Sequence, residues 1–411
     1  MFNLLSHSLI DFSTVVSDNQ LEQLAQACQP ATYGVPQQDV LDESYRKAGK
    51  LDAVNFSTNF NPNSTASGIM EAIRSLLLKD PKSSVQVKLH KLNVYGKRKI
   101  NWLPSKPNGF VGPGSFFKAH VDTPKSGKMF GSLVLVLPTK HEGGTFPLRH
   151  DNREWVFNSA DLVSPQNTES PRAAFVAFFG DIEQEVTEVI SGYRVTLTYN
   201  LYFGDDESTT GMTFVPSTML PIDDTEVKIK ELLISLLNNP KFLSDGGLVG
   251  FGLSHLYPIS SENINLLELG ENLKGIDAAI KRACDSLSLN ISVKMVYNSD
   301  IEGVSCLLDD IADPGTDAMV DEEDVLAHLQ QYSDGLLVYD QDWLSKKDLE
   351  FIKNAEPISW LKPFTERNEL ESPYVAYGNQ LSGTLGYRDV YGEVCLVLTV
   401  DAYNDRKTYQ L

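Results

Sequence analysis

The run YRVTLTYNLYF at 193–203 alternates in a way that few folds accept. Strand side chains point to opposite faces in turn, so Val195, Leu197, Tyr199 and Leu201 share one face while Arg194, Thr196 and Thr198 share the other. The first face is apolar. The second carries a guanidinium followed, two residues on, by a hydroxyl. Inside a barrel otherwise lined by apolar groups, such a charge is costly unless an anion meets it. A guanidinium meets a carboxylate through two parallel hydrogen bonds. Two partners satisfy the pattern: an Asp or Glu of the chain's own core, or a small dicarboxylate whose far end lies deep in the barrel.

The surroundings of this strand are of one texture. FGSLVLVLP (130–138) and AAFVAFFG (173–180) are further short strands separated by turn-like clusters, and the β-rich stretch extends over 113–203. Short strands at this spacing predict a sandwich or barrel. Helices flank it. Ser17 and Gln20 fit a capping box ahead of the stripe Leu21, Leu24, Ala25 and Cys28. Ile69, Ile73, Leu76 and Leu77 recur at helical spacing, and VQVKL at 85–89 alternates as a strand. The polar run at 205–224, with glycine and prolines, reads as a linker. Beyond it Ile229, Leu232, Leu233, Leu236 and Leu237 form one apolar helix face, and Ile276, Ala279, Ile280, Ala283 and Leu287 another. GLVGFGL (247–253), GLLVY (335–339) and EVCLVLTV (393–400) are strand-like between and after them. The expected division is 1–204, a linker at 205–224, and a C-terminal α+β domain at 225–411, in keeping with a length of 411 residues.

Charge and cysteines exclude some classes. Lys and Arg number 35 against 55 Asp and Glu, a net charge of −20. A surface of that sign repels phosphate backbones and anionic lipids, so neither nucleic acid nor membrane is an expected partner. No apolar run is long enough to span a bilayer, and the N-terminus lacks the basic start of a signal peptide. Cys28, Cys284, Cys306 and Cys395 show no paired spacing, which suits single thiols in a reducing, intracellular and cytoplasmic setting. The acidic stretch 309–325 does not match a calcium loop and reads as a solvated surface segment.

The segment FFKAHVDTP (116–124) places His120 and Asp122 two apart. On extended backbone both side chains point the same way, so one imidazole and one carboxylate can take adjacent positions on a single metal. A non-haem Fe(II) site needs a further histidine from elsewhere in the chain. Taken alone, the pair is weak evidence, and a surface His and Asp near a turn is the plainer reading.

YRKAGKLD (45–52), KLNVYG (91–96), GSFFKAHVDTP (114–124), FGSLVLVLP (130–138), HEGG (141–144) and FFGDIEQEVTEVISGYRVTLTYNL (178–201) occur in that order. As an ordered set they resemble the prolyl-4-hydroxylase-type 2-oxoglutarate/Fe(II) oxygenases, in the fungal-type variety with a C-terminal extension. YGNQ (377–380) and GFGLSHLYP (250–258) resemble that extension more faintly. The resemblance implies a mainly β fold with flanking helices, whose core is a double-stranded β-helix (a cupin-like jelly roll). It implies His120 and Asp122 as iron ligands, and Arg194, helped by Thr196, as the clamp on the distal carboxylate of 2-oxoglutarate. Tyr95 stands where the family often has a hydroxyl reaching the same cosubstrate; a core tyrosine is the plainer alternative. Fe(II), 2-oxoglutarate and O2 would together oxidise an unactivated C–H bond of a small-molecule or protein substrate, releasing succinate and CO2. Hydroxylation, desaturation and ring closure are all open outcomes.

The family's third ligand is a histidine ten residues before the clamp arginine. Here that residue is Gln184, in DIEQEV. An amide oxygen is a poorer donor to Fe(II) than imidazole. Three readings stand open: a substitution introduced to disarm the site, a natural His-Asp-Gln site with altered chemistry, or a pseudoenzyme acting as a binding or scaffold protein. None of the other histidines (His7, His90, His141, His150, His255 and His328) has the right spacing to Arg194; His141, in the HEGG turn, is one that can lie near the site. The segment 97–113 (KRKINWLPSKPNGFVGP) intervenes between two family motifs and reads either as a plain insertion or as a lid or substrate-contact loop.

Overall fold

The structure, a computed structural model, describes residues 9–35, 38–78, 83–96, 114–163, 171–204, 225–257, 265–298, 303–310, 329–331, 333–340, 355–362, 380–385 and 388–409. The intervening segment 97–113, the stretch 205–224 read as a linker, residues 311–325 of the acidic stretch and YGN of the YGNQ motif lie outside them. The chain divides into two compact units. The first comprises Met1–Ile73, Ser84–Lys125 and Met129–Thr209; the second comprises Arg74–Ser83, Ser126–Lys128 and Thr210–Leu411.

The first unit is mainly β, with barrel-like sheets built around one strand, Glu183–Phe203. The run at 193–203 is only its second half. That half pairs antiparallel with Val85–Gly96 on one side and Met129–Val136 on the other. The first half pairs with Ser115–His120, His141–Gly143 and Phe146–His150. One strand thus belongs to two sheets and turns from one to the other near Ser191-Gly192. Gly192 holds φ +72°, and a Cβ there would run into the Lys140 carbonyl oxygen, so the pivot requires glycine. Both faces of 194–201 are buried: Val195, Leu197, Tyr199 and Leu201 on one side, Arg194 and Thr196 on the other. Strand Ala174–Phe179 extends the sheet beyond Met129–Val136, and Gly49–Asp52 extends it beyond Val85–Gly96.

Local signals in this unit act as their residues dictate. Ser17 caps the helix Asp18–Ala27 through the reciprocal capping box with Gln20. The apolar repeat at 69–77 begins here as the helix Ile69–Ala72; the π-helical stretch Ile73–Leu77 that continues it is counted from Arg74 onward with the second unit. The start of the long strand is tied down by Arg149, whose guanidinium donates to Glu154, Glu183 and Glu185 at 2.6, 3.0 and 2.9 Å.

In the second unit the helices Thr225–Leu237 and Gly275–Ser286 bury Leu233, Leu237, Ala279, Ile280 and Ala283. They pack on a sheet in the order Gly247–Gly252, Glu356–Lys362, Leu336–Asp340, Val304–Leu308, Asn290–Asn298, Arg388–Val400, Gln380–Leu385. Gly247–Gly252 also pairs with Arg388–Val400, which closes six of these strands into a ring. Alternate residues of Arg388–Val400 feed two apolar clusters, Val394, Leu396 and Leu398 in one and Cys395 and Val397 in the other. All four cysteines are free thiols. Among the described residues no helix is long and apolar enough to cross a membrane.

Candidate functional site

Register decides which side chains meet, because residues directly opposite one another in a sheet point to the same side. Gln184 lies opposite His120 on one flank and Leu148 on the other. Its side chain therefore stands beside the imidazole, at a Cβ separation of about 4.5–5.5 Å. Asp122 follows just past the end of the His120 strand, and its Oδ1 is 4.0 Å from His120 Nε2. The three candidate ligands are brought together.

Each donor is prepared differently. His120 Nδ1 lies 2.8 Å from the Lys118 carbonyl oxygen. A carbonyl only accepts, so Nδ1 carries the proton and Nε2 is left with its lone pair. Burial pushes the His120 pKa down to about 4, against the pull of Asp122, so the ring is neutral at physiological pH. The ring also stacks on Phe117 with centroids 3.5 Å apart. Asp122 Oδ2 accepts the Ser132 hydroxyl at 2.6 Å. Burial works against its charge, yet His120, Ser132, Lys91 and the Gln184 amide together hold its pKa below the ordinary value. A neutral imidazole nitrogen and a carboxylate oxygen, each oriented by a neighbour, suit a divalent ion; an amide completes the set more weakly.

The second group stands on the adjoining sheet. Arg194 lies opposite Tyr95, Thr196 opposite Asn93 and Val136, Thr198 opposite Lys91 and Val134, and Asn200 opposite Ser132. These residues share one face. Ser132 also lies opposite Phe178, whose ring meets Phe146 at 5.6 Å, and the Phe146 ring lies 5.7 Å from the Arg194 guanidinium. The face with Arg194 and the face with Asp122 therefore line a common interior.

Arg194 is 1% exposed. Its Nε donates to Ser159 Oγ at 3.2 Å, and the Tyr95 ring lies 5.7 Å from the guanidinium. Its Nη2 is buried with no hydrogen-bond partner, and among the described residues no carboxylate forms an ion pair with it. Among the described residues, no core Asp or Glu takes the place that the sequence left open for a partner. Burial pushes the pKa down to about 10, which keeps the group charged at neutral pH. An unpaired guanidinium in an apolar interior fits an anionic ligand, and its planar fork fits a carboxylate.

Solved structures similar to this chain are 2-oxoglutarate/Fe(II) oxygenases. They include an oxidoreductase of the 2OG-Fe(II) oxygenase family from Burkholderia pseudomallei, with 13% identity over 45% of this chain and 77% of that one and a TM-score of 0.23. A prolyl-4-hydroxylase from Pseudomonas putida shares 16% identity over 47% of this chain and 91% of its own, with a TM-score of 0.24. A Trichoplax adhaerens prolyl hydroxylase, solved with a peptide of the hypoxia inducible factor oxygen degradation domain, shares 12% identity over 45% and 76%, with a TM-score of 0.30. No family profile and no curated protein matches the chain. The functional reading rests on the side chains of the site.

Several of these side chains gave no motif in the sequence. Ser132 was visible only as the single hydroxyl in FGSLVLVLP, and Ser159 not at all. Lys91 is a third. Half-buried on the same face, it takes no hydrogen bond or ion pair among the described residues, and burial, helped by Arg46, pushes its pKa down to about 7 against the pull of Asp122. The folded-state pKa thus lies below the value of 10.5 for a free lysine. Between about pH 7 and 10.5 the unfolded chain binds the extra proton, so stability rises with pH across that window. Lys91→Met removes this contribution. Its expected signature is a higher Tm at pH 7 and a flatter rise in Tm toward pH 10, read by thermal denaturation at constant ionic strength.

Proposed function

We propose that the first unit is a 2-oxoglutarate- and Fe(II)-dependent oxygenase. The observation that carries this reading is the buried, unpaired Nη2 of Arg194, on the same interior as the oriented pair His120 and Asp122. A metal ligand pair and a carboxylate clamp facing one interior suit a keto-diacid bound to a metal. When bound, Fe(II) with 2-oxoglutarate and O2 supplies the oxidation of a C–H bond, with release of succinate and CO2.

The chain's own residues do the rest. His120 offers Nε2 as a neutral donor because Lys118 fixes its tautomer. Asp122 offers Oδ1 because Ser132 occupies Oδ2. Gln184, opposite His120, offers an amide oxygen as the weakest of the three. Arg194 takes the distal carboxylate with its Nη end, and Thr196 and Tyr95 stand on the same face beside it. Phe146 and Phe178 keep water from that end. The substrate is a small molecule or a protein segment. The 225–411 region then corresponds to the C-terminal extension.

The Gln184 side chain also supports a second reading, in which the interior binds the keto-diacid without turnover and the protein serves as a binding or scaffold protein. Calorimetric titration of 2-oxoglutarate into the Mn(II)-loaded chain tests what the two share. Saturable one-to-one binding is expected; no heat of binding at millimolar ligand would remove both. Succinate formation with Fe(II) under air then separates catalysis from binding.

A further inference from the structure

We propose that Ser159 and His141 are positioning residues for Arg194, and that through it they set the preference of the site for a keto-diacid over a keto-monoacid. The proposal rests on the reading of Arg194 as the carboxylate clamp.

The hydrogen bonds beside Arg194 form a chain in which every proton is assigned. His141 Nδ1 lies 2.8 Å from the Thr139 carbonyl oxygen, which only accepts, so Nδ1 carries the ring proton. His141 Nε2 is then an acceptor, and the Ser159 hydroxyl, 3.0 Å away, donates to it. With its proton spent on His141, Ser159 Oγ turns a lone pair to Arg194 Nε–H at 3.2 Å. All three side chains are 5% exposed or less, so water does not compete for these bonds. Burial also lowers the His141 pKa, which keeps the ring in this neutral form.

The consequence falls on the ligand. A guanidinium can present a carboxylate with either its Nε/Nη edge or its Nη/Nη end. Ser159 occupies Nε, so the Nη end is what remains, and Nη2 is the atom left unpaired. The fork is held from its sides as well. Tyr95 and Phe146 each place a ring 5.7 Å from it. Gly144 lets the backbone come close: a Cβ there would stand 2.9 Å from Arg194 Cδ and 2.8 Å from Val189 Cγ2, at a backbone φ of +63°. The HEGG segment at 141–144 thus supplies both the histidine that orients Ser159 and the glycine that makes room for the arginine stem.

Removing the Ser159 hydroxyl leaves a buried Nε–H that is satisfied only if the fork turns toward the ligand by its other edge. The damage is confined to the far carboxylate. The test is calorimetric titration of the full-length, Mn(II)-loaded chain with 2-oxoglutarate and with 2-oxobutyrate, which keeps the keto acid but lacks the far carboxylate. In Ser159→Ala the fork is no longer held with its Nη end toward the ligand, and 2-oxoglutarate affinity falls by roughly 10- to 100-fold, the loss expected when one of the two charged hydrogen bonds to the far carboxylate is forfeited. Affinity for 2-oxobutyrate stays within about twofold, a selectivity readout that general loosening of the fold would not give. Ser159→Thr, which keeps the hydroxyl, restores the preference. His141→Phe, which keeps the ring volume but not the acceptor, lowers it and serves as the second variant where Ser159→Ala does not fold. An unchanged ratio in both Ser159→Ala and His141→Phe, in a parent chain whose ratio collapses in Arg194→Met, overturns the positioning role alone. A parent chain that does not distinguish the two acids overturns the clamp as well.

Discussion

Arg194→Met abolishes most of the affinity for 2-oxoglutarate without lowering the stability of the free protein. The guanidinium is buried, charged and without an acidic partner among the described residues, so it stabilises little in the free state. Methionine fills much of the same space and adds no charge to desolvate, and replacing buried charge by apolar groups of similar volume is commonly neutral or favourable. With ligand present the balance reverses. Two hydrogen bonds from a guanidinium to a carboxylate contribute about 1.5–3 kcal/mol each, so their joint loss weakens binding by roughly two to four orders of magnitude. Calorimetry on the Mn(II)-loaded protein reads the affinity, and thermal denaturation of the free protein reads the stability. A 2-oxoglutarate affinity within threefold of the parent would show that the distal carboxylate lies elsewhere. A large fall in Tm would show that Arg194 has a structural partner in the free chain.

Gln184→His strengthens metal binding by at least about a hundredfold, because imidazole replaces an amide oxygen beside a second imidazole and a carboxylate. The geometry favours the exchange. Residue 184 already faces His120 across the sheet, and the strand that carries it is fixed by the three carboxylates around Arg149. Titration with Mn(II) measures the affinity. Anaerobic Fe(II) with 2-oxoglutarate adds a visible charge-transfer band that reports joint occupancy. A band present in Gln184→His and absent from the parent identifies a disarmed oxygenase. A band in both shows that the His-Asp-Gln set holds the metal together with the keto-diacid, leaving succinate formation to separate catalysis from binding, and its absence from both removes both readings. Equal Mn(II) affinity in the two proteins would show that residue 184 does not reach the metal.

What the sequence disclosed came from strand parity and from the ordered motifs that put Gln184 at the third ligand position. The alternation at 193–203 separated Arg194 and Thr196 from Val195 and Leu197, and the two-residue spacing put His120 and Asp122 on one side. The capping box at Ser17 was equally local. What stayed hidden was set by pairing between distant segments. Nothing in DIEQEV says that Gln184 faces His120, since that depends on the register between 183–203 and 115–120. Ser159 sits at the start of a five-residue helix with no pattern of its own, and only the folded chain brings it to Arg194. Lys91 was visible as a letter in KLNVYG, but its place on the face of Tyr95 and Asn93 follows from their common register with the long strand. The strand read at 193–203 is the second half of a longer one, and the positive φ of Gly192 lets that strand pass from one sheet to the next.

That shared strand has a mechanical meaning. Gln184 and Arg194 are ten residues apart on one strand that is paired, through several bulges, first in one sheet and then in the other, so fraying at either end of the site disturbs a strand that both sheets share. Breathing motions that elsewhere release a ligand through a single loosened segment are here bound up with near-global opening of the unit. Amides along 184–201 should accordingly exchange with solvent as one cooperative block, and a ligand gripped at both ends should slow them together.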